Sequence, residues 1–132
     1  MTSRAAILVV EDEVMLRTTM CASLTLMGYA PLQADSVSSA LKVLATEQVD
    51  AIILDVGLPD ETGLHRSGLN LLRYVRGTHE YAELPVLIFT GRPLSPLEEE
   101  LVSVNRGELF YKPHQFSALL HHLNGLLEGQ VR

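Results

Sequence analysis

Short runs of consecutive apolar residues alternate along the chain with longer stretches in which apolar residues recur every three or four positions. The runs are Ala5–Val10, Ala30–Gln33, Ala51–Leu54, Pro85–Phe89 and Leu109–Tyr111. A strand covered on both faces reads as a continuous apolar stretch because neither side meets water, and the first, third and fourth runs have that form. The second and fifth are weaker, which places them nearer the edges of a sheet. Between the runs, Leu16, Met20, Leu24 and Met27 repeat at helical spacing and stop at Gly28, a residue suited to a left-handed C-terminal cap. Val37, Ala40, Leu41 and Leu44 follow Ser36 as an N-cap, and Leu71, Leu72 and Val75 follow Ser67 in the same manner. Ser95-Pro96 opens a fourth helix with Leu97, Leu101 and Val104 turned inward, since Pro is pre-organised for the first helical position. Phe116, Leu119, Leu120 and Leu123 build the fifth.

Strand and helix patterns in strict alternation predict an α/β fold of successive βα units on a parallel sheet. With no repeat, low-complexity tract or linker, a single domain over 1–132 with its core at about 5–127 is expected, and 132 residues suit one core. Hydrophobic residues make up 47% and charged residues 20%, the balance of a folded globular chain. The formal charge of −6 argues against direct nucleic-acid binding, which needs clustered Lys and Arg. A lone cysteine, Cys21, cannot form an internal disulfide, and nothing reads as a secretory signal or membrane span, so a cytoplasmic location is expected. Cys21 lies within a helical pattern and is read as a buried, inert thiol.

Chemistry collects at the ends of the strand-like runs. Glu11-Asp12 follow the first, Asp55 the third, Thr90 the fourth and Lys112 the fifth. In an open parallel sheet ligands bind beyond the carboxyl ends of the strands, at the point where strand order reverses; in the flavodoxin-like order 2-1-3-4-5 that point lies between the first and third strands. Three acids brought together there repel one another unless a cation neutralises them. Mg²⁺ prefers oxygen ligands and is commonly held by one or two carboxylates plus a phosphate, so Glu11, Asp12 and Asp55 suffice. An Asp can also attack phosphorus, with Lys112 and the Thr90 hydroxyl left to receive phosphoryl oxygens.

These residues resemble the receiver domain of two-component response regulators, through Val9-Val10-Glu11-Asp12-Glu13, Asp55-Val56-Gly57-Leu58-Pro59, Thr90-Gly91 and Lys112-Pro113. The resemblance spans essentially the whole chain and implies a flavodoxin-like, doubly wound five-stranded parallel sheet with five helices. It further implies that Asp55 accepts a phosphoryl group from a sensor histidine kinase or phosphotransfer protein. Glu11, Asp12 and Asp55 would hold Mg²⁺ with the Gly57 carbonyl, while Thr90 and Lys112 contact the phosphoryl group. In this family the bond corresponding to Lys112–Pro113 is often cis. The chain would then be a phosphorylation-dependent switch rather than an enzyme acting on an external metabolite. Its output partner would dock on, or a homodimer form through, the face made by the fourth helix, fifth strand and fifth helix.

Departures from the family pattern bear on partners and output. The stretch Asp60–Gly68 is longer than usual and is read as a partner-selecting loop beside the site, with a neutral surface insertion as the alternative. Leu109 stands where the family usually has Tyr or Phe, three residues before Lys112, so the usual aromatic switch need not operate through the same residue. Gly91 leaves room for a phosphate, and Arg92 at the mouth is read as solvated rather than as a phosphoryl contact. Glu98-Glu99-Glu100 reads as a solvated helix face, and His114, His121 and His122 as surface residues, His121 and His122 pointing in different directions. Two other functions remain open. An aspartate-nucleophile phosphatase needs a second acid two residues after the nucleophile, where this chain has Gly57; a degenerate receiver would serve as a phosphorylation-independent interaction module, for which Leu109 is the best support. Met1 is expected to be a true N-terminus, with the chain either a stand-alone receiver or one cut from a larger protein.

Overall fold

The computed structural model describes residues 4–58 and 67–128. Five strands, β1 (Ala6–Val10), β2 (Ala30–Ala34), β3 (Ala51–Leu54), β4 (Val86–Thr90) and β5 (Gly107–Tyr111), form one parallel sheet in the order 2-1-3-4-5. The helices are α1 (Val14–Leu26), α2 (Val37–Thr46), α3 (Ser67–Gly77), α4 (Pro96–Val104) and α5 (Phe116–Glu128), with a short 3-10 turn at His79–Tyr81. The fold class, strand order and edge positions of β2 and β5 agree with the sequence reading.

Side chains on the central strands alternate between two buried layers. Leu8, Val10, Ile52, Leu54, Val86 and Ile88 pack against α2, α3 and α4, whereas Ile7, Val9, Ala51, Ile53, Leu87 and Phe89 pack against α1 and α5. Both faces are thus dry, which is why these strands carry no polar alternation. Burying each Leu or Ile side chain contributes about 1.5–3 kcal/mol, so this pair of layers supplies most of the drive to fold.

Local signals hold at several ends. The N–H of Gly28, at φ +95, bonds to the Thr25 carbonyl and that of Tyr29 to Leu24, a Schellman closure of α1 that a Cβ-bearing residue would strain. Ser36 caps α2 and Ser95 caps α4, each in a reciprocal capping box. Other readings need correction. Ser67 is the first residue of α3 rather than the residue before it. Met27 is the cap of α1 and is 40% exposed. In α4 the buried residue is Val102, helped by Leu94 just before the helix and by half-buried Leu101, while Leu97 and Val104 are 67% and 69% exposed. The Asp60–Gly68 stretch lies, up to position 66, outside the described residues. Among the described residues no helix is long and apolar enough to cross a membrane.

Candidate functional site at the carboxyl edge of the sheet

The backbone ladder continues one residue past three strands, and this extension positions the polar groups. Glu11 N–H bonds to the Ala34 carbonyl at 3.0 Å, Asp55 N–H to Val10 at 3.1 Å and Lys112 N–H to Thr90 at 2.8 Å. Each side chain is therefore set by sheet geometry rather than by a mobile loop. Thr90 is the last residue of β4, opposite Tyr111, not the residue beyond it.

Acidic ligand atoms of Glu11, Asp12 and Asp55 lie within 4.8 Å of one another, the first and last buried and Asp12 exposed. Lys112 Nζ bridges them, 2.8 Å from Glu11 Oε1 and 3.4 Å from Asp55 Oδ2. Asp55 Oδ1 accepts from the Gly57 N–H at 3.1 Å, and Glu11 Oε2 from the Glu13 N–H at 3.2 Å. Thr90 is buried at the floor, 1% exposed. The Lys112–Pro113 bond is cis. Every sequence-nominated residue is thus brought to one end of the sheet, with the Gly57 backbone against Asp55.

Burial pushes the Glu11 carboxyl above its ordinary value; the Lys112 hydrogen bond offsets part of this and the Asp55 charge adds to it. Burial pulls Lys112 down, but its hydrogen bond to Glu11 and the charge of Asp55 outweigh that, so the ammonium is held above its ordinary value. With all three acids ionised, three negative charges against one positive leave two uncompensated, in a pocket whose donors are all hard oxygens. That donor set and residual charge fit a divalent cation such as Mg²⁺.

Three features lie beyond the sequence reading. The Arg17 guanidinium donates to the Glu11 carbonyl at 2.7 Å and to Gln33 at 3.0 Å, fixing the chain that carries the acidic pair. Gly68 presses α3 onto the end of β3: a Cβ there would meet the Asp55 carbonyl oxygen and come within 2.6 Å of Val56 Cα. Arg92 is not simply solvated, and Glu98 is not a free surface acid; they form a two-pronged ion pair at 3.0 and 2.8 Å. A glycine in a helical pattern gives a sequence signal, though not what it touches; the other two contacts span loops and give none. Leu109 is half-buried against the α2–α4 layer, while Phe110 lies on the opposite face beside the His122 ring, 5.8 Å between centroids. His121 is exposed, and Cys21 is buried with its thiol raised by burial.

A doubly wound parallel sheet with an acid cluster and a lysine at its switch point defines the class. Residues 7–124 match the response regulator receiver domain family, and the chain belongs to it. The response regulator MprA of Mycobacterium tuberculosis is 32% identical over 123 residues, covering 92% of this chain and 50% of MprA. The CAI-1 autoinducer sensor kinase/phosphatase CqsS of Vibrio cholerae is 31% identical over 117 residues, 87% of this chain and 16% of CqsS. The chain thus spans about half the length, or less, of these curated relatives. Among solved structures, a response regulator receiver protein from Pseudomonas putida superposes with a TM-score of 0.83 at 26% identity, covering 95% of this chain and 99% of that one. The chemotaxis protein CheY4 of Vibrio cholerae gives 0.79 at 25% identity, covering 92% and 98%. Receiver domains interact with histidine kinases or phosphotransfer proteins and generally bind Mg²⁺ through acidic residues.

Proposed function

We propose that Asp55 is the phosphoacceptor of a Mg²⁺-dependent signalling switch, loaded from a phosphohistidine on a sensor kinase or phosphotransfer protein. The observation that carries this reading is the Lys112 ammonium bridging Glu11 and Asp55 within a cluster of three carboxylates. One Asp55 carboxylate oxygen attacks phosphorus; the new P–O bond forms as the P–N bond breaks, and the departing imidazole nitrogen takes up a proton. Glu11, Asp12, Asp55 and the Gly57 carbonyl would hold the metal. When bound, Mg²⁺ supplies charge neutralisation for the transferring group. Lys112, held charged, receives a second phosphoryl oxygen, and the Thr90 hydroxyl donates to a third.

The chain's chemistry is its own phosphorylation and hydrolysis, with no external metabolite turned over. Gly57 gives no acid where a phosphatase would need one. About two added negative charges at Asp55 then bias neighbouring loops and helices and alter partner binding, in the cytoplasm where the kinase's phosphodonor domain resides. Leu109 in the usual aromatic position favours an output route that does not depend on a ring turning inward, through the α4, β5 and α5 face or a homodimer built on it.

Intact mass after incubation with acetyl phosphate and Mg²⁺ tests the reading. One phosphoryl group is expected on the native protein, none on Asp55→Asn and none when EDTA replaces Mg²⁺. An unmodified native protein that still binds Mg²⁺ would instead indicate a phosphorylation-independent interaction module.

A further inference from the structure

Helix α4 is fastened unevenly along its length. Within Pro96–Val104 only Val102 is buried, so apolar packing anchors its second half and little anchors its first. Past its C-terminal end, the Arg76 guanidinium donates to the Asn105 carbonyl at 2.7 Å and to the Arg106 carbonyl at 3.4 Å. The same guanidinium reaches the Leu84 carbonyl at 2.6 Å, tying that end of α4 to the start of β4. At the other end the connections are polar. Ser95 Oγ accepts from the Glu98 N–H at 3.2 Å, Glu98 Oε1 accepts from the Ser95 N–H at 2.9 Å, and both Glu98 oxygens accept from Arg92.

Glu98 therefore does two separable things: it closes the capping box of α4 and it holds Arg92. Arg92 follows Thr90 by two residues, and its own N–H faces Thr90 Oγ1 at 3.4 Å, so its backbone is fixed at the rim of the acidic site. Its guanidinium is held charged above its ordinary value chiefly by the Glu98 hydrogen bond, and the Asp55 charge also reaches it. Its side chain is 42% exposed and that of Glu98 18%, so water screens the pair from the arginine side and lowers the cost of exchanging one anion for another.

Resting on the phosphoacceptor reading above, we infer that Arg92 is a phosphoryl-responsive latch on α4, paired with Glu98 in the unmodified protein and drawn off by a phosphoryl group on Asp55. A phosphoryl group offers about two negative charges and a fork of oxygens that matches a guanidinium, against one charge on Glu98. Glu98 keeps its bond to the Ser95 N–H, so α4 stays capped. It loses only the tie to the loop after β4, and swings about the end that Arg76 clamps.

The test uses the 132-residue chain with and without acetyl phosphate and Mg²⁺, read by intact mass and by amide hydrogen exchange along α4. The native protein is expected to gain one phosphoryl group and to lose about two- to fivefold protection in the first half of α4, the range an ion pair of this exposure supports. Glu98→Gln keeps an oxygen for the Ser95 N–H but lacks the charge for Arg92. It should show the lowered protection before phosphorylation and no further loss after it, and Arg92→Gln should behave alike. If each variant instead lost a further two- to fivefold protection on phosphorylation, the change in α4 would not run through this pair, which overturns the latch. A phosphoryl group gained with α4 protection unchanged overturns the latch and leaves Asp55 as acceptor, whereas no phosphoryl group overturns both.

Discussion

Adding one methyl group to glycine should act in opposite directions at two helical positions of this protein. At Gly68 the new Cβ would meet the Asp55 carbonyl oxygen and lie 2.6 Å from Val56 Cα. Both obstacles are backbone, so no flexible side chain can yield, and the start of α3 must lift by about 1 Å to reach ordinary contact distance. Overpacking of this kind costs about 1–3 kcal/mol, against which Ala recovers about 1 kcal/mol of helix propensity. Gly68→Ala is therefore expected to lose up to about 2 kcal/mol, a fall in Tm of up to roughly 8 °C. Gly125, within α5, has nothing within 4 Å of the corresponding position, so Gly125→Ala should gain up to about 1 kcal/mol. Urea unfolding monitored by circular dichroism measures both. Because the clash falls on the backbone of Asp55 and Val56, the part of that shift taken up by the strand end displaces Asp55, and Gly68→Ala should also slow phosphorylation by acetyl phosphate by up to about tenfold. Native-like stability and rate in Gly68→Ala would refute the close packing of α3 on the backbone of Asp55.

Three further outcomes follow from the charges. Lys112→Met leaves Glu11 and Asp55 without their shared ammonium and should cost about 1–3 kcal/mol at neutral pH; Mg²⁺ should restore part of this in thermal melts. Glu11, already raised, should rise further in that variant, so its deficit grows as pH climbs through the Glu11 titration and is smallest in acid. Glu98, held down to about 2 first by the Arg92 hydrogen bond, contributes stability present above its ordinary 4.5 and lost as pH falls toward 2. Glu98→Gln should accordingly flatten that part of the pH–stability curve, measured by urea midpoints. Arg76→Met orphans carbonyls at the junction of α3, β4 and the α4–β5 turn and should cost about 2–4 kcal/mol, with Arg76→Lys recovering only part.

The buried layers explain how much of the fold could be read beforehand. β1, β3 and β4 are dry on both sides, so their apolar runs mark them to within one residue at either end. β5 begins at Gly107, two residues before its apolar run, because main-chain pairing of Val86 with Gly107 and Leu87 with Glu108 needs no apolar side chain at an edge. In α4 Leu101 packs on the core as its spacing suggests, but Leu97 and Val104 do not; tertiary contacts at Val102 and Leu94 shift the buried stripe to one side. Asp55, Glu11, Asp12, Thr90 and Lys112 were legible because strand ends converge in a parallel sheet, whatever the helices do. The Arg92–Glu98 pair was not, since its partners face each other only once the loop after β4 is folded and α4 is capped.

Reduction of the phosphorylated protein with borohydride tests the central claim most directly, because hydride converts an aspartyl phosphate to homoserine with loss of phosphate and so marks the acceptor. Peptide mapping is predicted to find homoserine at position 55 alone, dependent on Mg²⁺ and on acetyl phosphate. Homoserine at another aspartate, or phosphate that survives borohydride on a histidine or hydroxyl side chain, would contradict the assignment of Asp55 as the phosphoacceptor.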